Sequence, residues 1–208
     1  ILTKKFDLIG VAQTGSGKTL AFLLPIINDM IHFGPPELNE EVSDEGNNGK
    51  LVRSSVSYPL ALIMSPTREL ANQINDECLK LIHETGIHSG CIYGGADSSS
   101  QFRMLREGLD IIIGTPGRIN DMLSRGAISL SKVKTVVLDE ADRMLDMGFE
   151  PQIKDILNNY DIAPKNARQN VMFSATFEKK VITIAKRFLN DFYFIGNPEQ
   201  SFTVNKNI

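Results

Sequence analysis

The stretch DLIGVAQTGSGKTL, residues 7–20, joins a short apolar run to a segment of helical periodicity through a loop of small residues. Small residues let successive backbone N–H groups point at a phosphate, and the start of the following helix adds partial positive charge. Lys18 can reach β- and γ-phosphate oxygens, and the Thr19 hydroxyl can bind Mg²⁺. Ala12 stands where the general pattern has glycine, but the strand–loop–helix context favours phosphate binding over a glycine-rich turn without a ligand.

On either side of this loop, short apolar runs alternate with stretches of helical period. The runs predict seven strands, at residues 7–12, 60–65, 89–93, 110–114, 135–138, 170–174 and 192–195. Strands that alternate with helices form βαβ units, and their parallel sheet is covered by helices on both faces. The predicted fold class is therefore α/β, a doubly wound parallel sheet that binds ligands beyond the carboxyl ends of its strands.

The composition is that of an ordinary globular chain, with 208 residues of which 42% are hydrophobic and 23% charged. It excludes a collagen-like, coiled-coil or wholly disordered protein. Because no apolar run reaches the ~18 residues of a membrane span, we expect no membrane partner. The two cysteines and three histidines lack metal-ligand spacing, which excludes a disulfide framework and disfavours a Cys/His metal site. A reducing compartment is expected, the cytoplasm and also the nucleus.

The net charge of −3 arises from one segment, because residues 34–50 hold five of the 25 acidic residues and one of the 22 basic residues. The rest of the chain is close to neutral, so overall charge neither supports nor excludes a polyanionic partner. Paired prolines, the acidic run and a Gly-Asn-Asn-Gly sequence predict that residues 34–58 are a solvated, mobile insertion. A binding role for this insertion stays open.

A second apolar run, residues 135–138, leads directly into Asp139-Glu140-Ala141-Asp142. Adjacent carboxylates at the end of a strand suit a Mg²⁺-dependent nucleotide hydrolase. One of them holds the metal, and the next orients or deprotonates the attacking water. The alternative is an acidic helix start stabilised by the helix dipole. The phosphate loop about 120 residues upstream favours the catalytic interpretation.

Six motifs in this order resemble those of the DEAD-box RNA helicases. Residues 12–19 and 139–142 resemble motifs I and II. The others are PTRELA at 66–71 (motif Ia), Gly94-Gly95 with Gln101 (the GG motif), TPGR at 115–118 (motif Ib) and SAT at 174–176 (motif III). The resemblance covers nearly the whole chain outside 34–58. It implies an N-terminal RecA-like P-loop NTPase domain over residues 1–195, with 196–208 beginning a linker to a second RecA-like domain.

The resemblance also assigns roles to individual residues. ATP would bind at Ala12, Gln13, Thr14, Gly15, Ser16, Gly17, Lys18 and Thr19. Mg²⁺ would be held by Thr19 and Asp139, and the catalytic residues would be Lys18, Asp139 and Glu140, the last as general base. One RNA strand would contact Pro66, Thr67, Arg68, Gly94, Gly95, Gln101, Thr115, Gly117 and Arg118. Contacts to Asp142 from Ser174 and Thr176, which flank Ala175, would couple hydrolysis to unwinding.

Elementary physics supports the RNA group in outline. Arg68 and Arg118 each lie where a strand gives way to a helix, so a phosphate could meet both a guanidinium and a helix N-terminus. Gly94 and Gly95 would let a backbone approach closely. No aromatic residue is interleaved with these motifs to stack bases, so contact with sugar and phosphate would be independent of sequence. Taken singly, each residue also has an ordinary structural role in a turn or helix cap.

Two parts of the family pattern are not found in these residues. None of the eleven residues before Ala12 fits the adenine-reading glutamine, which is expected upstream of Ile1. The arginine-rich motif of the second domain is also absent, so the chain should bind nucleotide but hydrolyse it very slowly by itself.

Residues 93–97, 147–153 and 172–177 look most like the Vasa and translation-initiation branch. A DNA-dependent ATPase and a non-catalytic ATP-gated clamp are the alternative functions.

Overall fold

The computed structural model describes residues 5–13, 15–33 and 56–196. Within these residues the chain forms seven strands and seven helices. In chain order they are β1 (Asp7–Val11), α1 (Lys18–Phe33), β2 (Ala61–Met64), α2 (Arg68–Leu81), β3 (Ser89–Ile92), α3 (Ser98–Glu107), β4 (Ile111–Gly114), α4 (Pro116–Ser124), β5 (Thr135–Leu138), α5 (Ala141–Asp146), α6 (Glu150–Asn158), β6 (Gln169–Ser174), α7 (Lys179–Phe188) and β7 (Phe192–Gly196). All seven predicted strands are present, and each predicted bound lies within one residue of the observed one.

The strands form one parallel sheet in the order β3-β4-β2-β5-β6-β1-β7, which confirms the predicted fold class. The register aligns the carboxyl ends of the inner strands. Met64 pairs with both Gly114 and Leu138, and Leu138 pairs in turn with Met172. Because all strands run the same way, the loops that follow β1, β2, β3, β4, β5 and β6 meet along one edge of the sheet. Every sequence motif described above lies at this edge or in the helix that follows it.

Alternate residues of each inner strand enter two different hydrophobic layers. Leu8, Ile63 and Val137 pack in the layer formed with α1 and α2. Ile9, Leu62 and Leu138 point to the opposite layer, which the later helices complete. Both faces of the sheet are therefore buried, which explains why these strands appear in the sequence as continuous apolar runs rather than as alternating patterns.

Strand β7 lies at the edge of the sheet and is covered much less than the others. Phe192, Tyr193, Phe194 and Ile195 are each between 38% and 52% exposed. Some apolar contacts remain, since the Phe194 ring lies 5.0 Å from the Phe177 ring by centroids. An edge strand with large apolar side chains on both faces is a site of unwanted association in an isolated domain.

The boundaries of the predicted insertion are only partly visible. Residues 34–55 lie outside the described residues, so the expected mobility there stays a prediction. At the other end of the predicted range, Ser57 is buried: its N–H donates to the Ala127 carbonyl at 2.9 Å, and its Oγ accepts the Leu109 N–H at 3.2 Å. The packed domain therefore resumes before residue 58. At the C-terminus, Gly196 belongs to β7, and residues 197–208 lie outside the described part.

No helix among the described residues combines the length and the apolar character needed to span a membrane.

Candidate functional site

The loop between β1 and α1 has the geometry of a phosphate-binding loop. Gly15 and Gly17 adopt φ values of +83° and +86°, a left-handed conformation that side chains other than glycine disfavour. Helix α1 begins at Lys18 without an acidic residue in its first turn, so its N-terminal positive potential is not offset there. The Lys18 ammonium donates to the Ala12 carbonyl at 2.7 Å, which folds its side chain back over the loop. Thr14 lies outside the described residues.

The carboxylates that follow β5 include Asp139, whose carboxyl interacts with the charge of Lys18 in this loop. Asp139 is only 3% exposed, and burial raises the pKa of its carboxyl to about 6. The positive charge of Lys18 is the largest opposing influence on that pKa, whereas the charges of Glu140 and Asp142 raise it further. The Lys18 ammonium is therefore the strongest compensating charge for Asp139. The phosphate loop and the acidic motif therefore lie near enough for their charges to interact.

Glu140 occupies a strained position within this site. Its backbone lies in the left-handed region, with φ 52° and ψ 52°, at the N-cap of the short helix α5. Such a conformation costs about 1–2 kcal/mol for a residue other than glycine, and strain of this kind concentrates at functional sites. The Glu140 carboxylate lies 3.2 Å from Arg143 Nη1, and its backbone N–H donates to Asp139 at 3.0 Å. These contacts orient Glu140 beside the buried Asp139.

Asp142 connects the acidic motif to the end of β6, but by fewer contacts than expected. Its Oδ2 accepts from both the backbone N–H and the hydroxyl of Thr176, at 3.0 and 3.1 Å. Ser174, predicted to share this role, instead has a fully buried hydroxyl without a hydrogen-bond partner among the described residues. The reason is positional: Ser174 is still part of β6 and is held in the core, whereas Thr176 lies beyond the strand with the exposed Ala175 before it.

The predicted RNA residues lie on the other half of the same edge, after β2, β3 and β4. Thr67 caps α2 by accepting the Leu70 N–H at 3.2 Å, and the exposed Arg68 is the first helical residue. Gly94 and Gly95 are exposed in the turn after β3. Three further predicted RNA residues are less accessible to a partner, because they are buried or half-buried: Pro66, Thr115 and Gly117.

Two predicted RNA contacts are used inside the protein. Gln101 is 6% exposed, and its amide both donates to the Tyr93 carbonyl at 3.1 Å and accepts the Tyr93 N–H at 3.2 Å. The Arg118 side chain is 13% exposed and donates to the Ala96 carbonyl at 3.2 Å. Both polar groups of Gln101 are therefore engaged with the Tyr93 backbone, and its assignment to direct RNA contact stays a prediction. Arg118 likewise secures the turn of Gly94 and Gly95.

Tyr93 is a further residue of this surface that was not predicted from the sequence. The Arg68 guanidinium lies over its ring, 5.5 Å from the centroid. An aromatic residue is therefore present in the RNA half, although its partner in this structure is an arginine rather than a base. Its position directly before Gly94 was the available signal.

The donor atoms of the nucleotide half suit Mg²⁺, because hydroxyl and carboxylate oxygens are the ligands this ion prefers. Within residues 5–13, 15–33 and 56–196 no group of three or more His, Cys, Asp or Glu side chains could hold a metal ion alone. Thr19 and Asp139 would therefore share Mg²⁺ with the phosphates of a nucleotide, which is the common arrangement for this ion.

Comparison with known proteins identifies the family of this chain. A family model described as DEAD/DEAH box helicase matches residues 1–184. A crystal structure of a DEAD box protein from the hyperthermophile Methanococcus jannaschii is 35% identical, with a TM-score of 0.73 over 93% of this chain and 46% of its own. The yeast DEAD-box splicing factor Prp28 is 34% identical, with a TM-score of 0.78 over 94% of this chain and 42% of its own. The chain thus spans less than half the length of these two proteins. It belongs to the DEAD/DEAH box helicase family and corresponds to the N-terminal RecA-like domain expected from its motifs.

Proposed function

We propose that this chain binds Mg-ATP and forms half of an ATP-dependent RNA helicase, together with a second RecA-like domain of the same full-length protein. The observation that carries the proposal is the pairing of an exposed phosphate loop with a buried carboxylate. Asp139 is 3% exposed and has a pKa raised to about 6, so the domain keeps a poorly compensated negative charge beside Lys18. A bound cation would relieve that cost, and bound phosphates would in turn be neutralised by the cation.

The residues of the loop would act first on the phosphates. Backbone N–H groups of residues 15–19 and the start of α1 would cradle them, and Lys18 would exchange its contact with the Ala12 carbonyl for phosphate oxygens. Thr19 and Asp139 would hold Mg²⁺, which when bound neutralises charge on the β- and γ-phosphates. Glu140 would then orient the attacking water and accept its proton on a carboxylate oxygen.

The contact between Asp142 and Thr176 offers a path from the nucleotide to the rest of the sheet. Asp142 lies in the first turn of α5, next to the residues that would act on water. Thr176 follows β6, whose last carbonyl, that of Ser174, accepts the Ala12 N–H of the phosphate loop at 3.1 Å. We include in the proposal that this closed arrangement transmits the state of the nucleotide to the RNA half and to the second domain.

RNA would lie along the ends of β2, β3 and β4, on contacts to sugar and phosphate. The exposed Arg68 and the exposed turn of Gly94 and Gly95 support contact with the sugar-phosphate backbone of RNA, which does not depend on the base sequence. Membership in the Vasa and translation-initiation branch is also proposed, on the resemblance of residues 93–97, 147–153 and 172–177 alone.

Calorimetric titration of the chain with Mg-ADP tests the nucleotide site. Lys18→Ala should remove a charge-assisted phosphate contact worth roughly 1.5–3 kcal/mol, which lowers affinity about tenfold or more. Lys154→Ala is the matched control, since Lys154 is a partly exposed lysine on α6 that pairs with Glu150 at 2.6 Å. Equal affinities for the wild type and Lys18→Ala would contradict the assignment.

The polymer is tested on the full-length protein by steady-state phosphate release with single-stranded RNA or DNA of the same sequence. RNA, but not DNA, should stimulate ATP hydrolysis. The Glu140→Gln variant should bind ATP but lose turnover. Stimulation by DNA to the same extent would favour a DNA-dependent ATPase. Turnover without any response to either polymer would contradict the helicase proposal.

A further inference from the structure

Tyr93 joins two parts of the candidate RNA surface that are 25 positions apart in sequence. Its ring lies beneath the guanidinium of Arg68, at 5.5 Å from the ring centroid. Arg68 is exposed at the first position of α2, and among the described residues no hydrogen bond or ion pair is observed for its guanidinium. The Tyr93 ring is therefore the group that defines where this arginine points.

Tyr93 is itself fixed by Gln101 of α3. Strand β3 is the outermost strand of the described sheet on this side, so one side of its backbone has no neighbouring strand. The Gln101 amide replaces that neighbour immediately after the strand, because it both donates to and accepts from the backbone of Tyr93. Gln101 is 6% exposed, so loss of these bonds would leave buried polar groups unsatisfied.

The far end of the same turn is held independently. Arg118 donates to the Ala96 carbonyl at 3.2 Å from α4. The backbone from Tyr93 to Ala96 is thus secured at both ends, while Gly94 and Gly95 between them stay exposed.

We propose that Gln101 and Tyr93 are positioning residues for RNA, such that Gln101 fixes the Tyr93 backbone and the Tyr93 ring holds the Arg68 guanidinium ready for a phosphate. This inference rests on the proposed function, because it assumes that Arg68 meets an RNA phosphate. A free arginine side chain loses much rotamer freedom when it binds a phosphate, and a ring that already orients it reduces that loss. Neither Gln101 nor the Tyr93 hydroxyl needs to touch the RNA.

The test is the affinity of the full-length protein for labelled single-stranded RNA, with Mg²⁺ and a non-hydrolysable ATP analogue. Tyr93→Leu should weaken binding about two- to fivefold, the range of a cation–π contact at an exposed site. Tyr93→Phe keeps the ring and should bind like the wild type. Tyr58→Leu is the matched control, because the Tyr58 ring also carries a cation, Lys132 at 5.4 Å, but precedes β2 at the opposite edge of the sheet.

A double-mutant cycle separates positioning from general damage. In an Arg68→Ala background, Tyr93→Leu should cause no further loss of RNA affinity, because the group it positions is gone. Gln101→Met, which fills similar volume without hydrogen bonds, should weaken RNA binding and leave ADP affinity unchanged. The Tyr93 variants decide the question if Gln101→Met does not fold.

Additive losses of RNA affinity from Tyr93→Leu and Arg68→Ala would overturn the inference. So would a loss from Tyr93→Phe equal to that from Tyr93→Leu, or a parallel loss of ADP affinity in Tyr93→Leu. Unchanged RNA binding by Tyr93→Leu, when the wild type binds, would also overturn this inference while leaving the proposed function intact. Failure of the wild type to bind RNA at all would overturn the proposed function and this inference with it.

Discussion

Asp139→Asn should stabilise the nucleotide-free domain, although it removes a residue assigned to the metal. The carboxyl is 3% exposed, and burial raises its pKa from 3.8 to about 6. At neutral pH the ionised form therefore costs the fold roughly 3 kcal/mol. Asparagine is close to isosteric and neutral, and its oxygen can still accept the Glu140 N–H. Lys18 would lose a favourable charge, and this loss offsets part of the gain. We therefore expect a net rise of about 1–3 kcal/mol in the free energy of unfolding.

The pH dependence gives this prediction a sign that can be checked. A carboxyl whose pKa is raised in the folded state holds its proton more tightly there, so the wild type gains stability as pH falls from above 6 towards 3.8. The advantage of Asp139→Asn should thus be full at pH 7.5 and fall to roughly half by pH 5. Urea unfolding of the chain in EDTA measures both values, and thermal unfolding should show a rise of about 2–10 °C at pH 7.5.

Asp142→Asn is the control that separates charge from shape. Asp142 accepts hydrogen bonds from Thr176 on one oxygen and from the Arg143 N–H on the other, so an amide group would face a donor wherever it turned. We expect this variant to lose about 1–3 kcal/mol. If Asp139→Asn destabilises the chain at pH 7.5 as Asp142→Asn does, the electrostatic reasoning about the nucleotide site is refuted.

Three further outcomes follow from other parts of the molecule. Gly17→Ala should cost about 1–2 kcal/mol in urea unfolding because of its φ of +86°. Gly94→Ala should be close to neutral, because Gly94 has no positive φ and no neighbour within 4 Å of an added Cβ. The 208 residues should release phosphate from ATP at least ~10³-fold more slowly than the two-domain protein with RNA, because the arginine-rich motif expected in the second domain is not among them, and a difference under tenfold would contradict this. Ile195→Lys should raise the soluble concentration of the isolated chain by charging the apolar edge strand β7, as light scattering would show.

Much of the fold could be predicted because its signals are local. Buried parallel strands appear as apolar runs, so the run at residues 135–138 coincides with β5. The glycines of the phosphate loop likewise indicate its backbone conformation, which depends only on residues close in sequence. The rule that ligands bind at the carboxyl ends of parallel strands then placed both candidate sites at the correct edge.

The inward-facing polar residues could not be predicted, since their partners are distant in sequence. Asp7 begins β1, yet its buried carboxylate accepts the N–H groups of Asn170 and Asn190 at 2.7 and 2.6 Å, far along the chain. Gln101 and Tyr93 are separated by only eight residues, but a β-strand end and a helix start must be placed before their pairing is evident. The motif resemblance assigned Gln101 to RNA contact, and its bonds to the Tyr93 backbone became visible only in the folded structure.

The acidic motif and the exposed Arg68 lie in different halves of the carboxyl edge, although the whole chain has a net charge of −3. The nucleotide half holds Asp139, Glu140 and Asp142 together and, under the proposed function, would accept phosphates together with a cation. The RNA half presents Arg68 and two exposed glycines instead. The boundary runs between β2 and β5, where the Asp139 N–H donates to the Met64 carbonyl at 2.9 Å. This hydrogen bond extends the pairing of β5, which ends in the acidic motif, with β2, which ends in the arginine motif. If Asp139 binds a cation as proposed, this pairing offers a direct route from the cation to the RNA half.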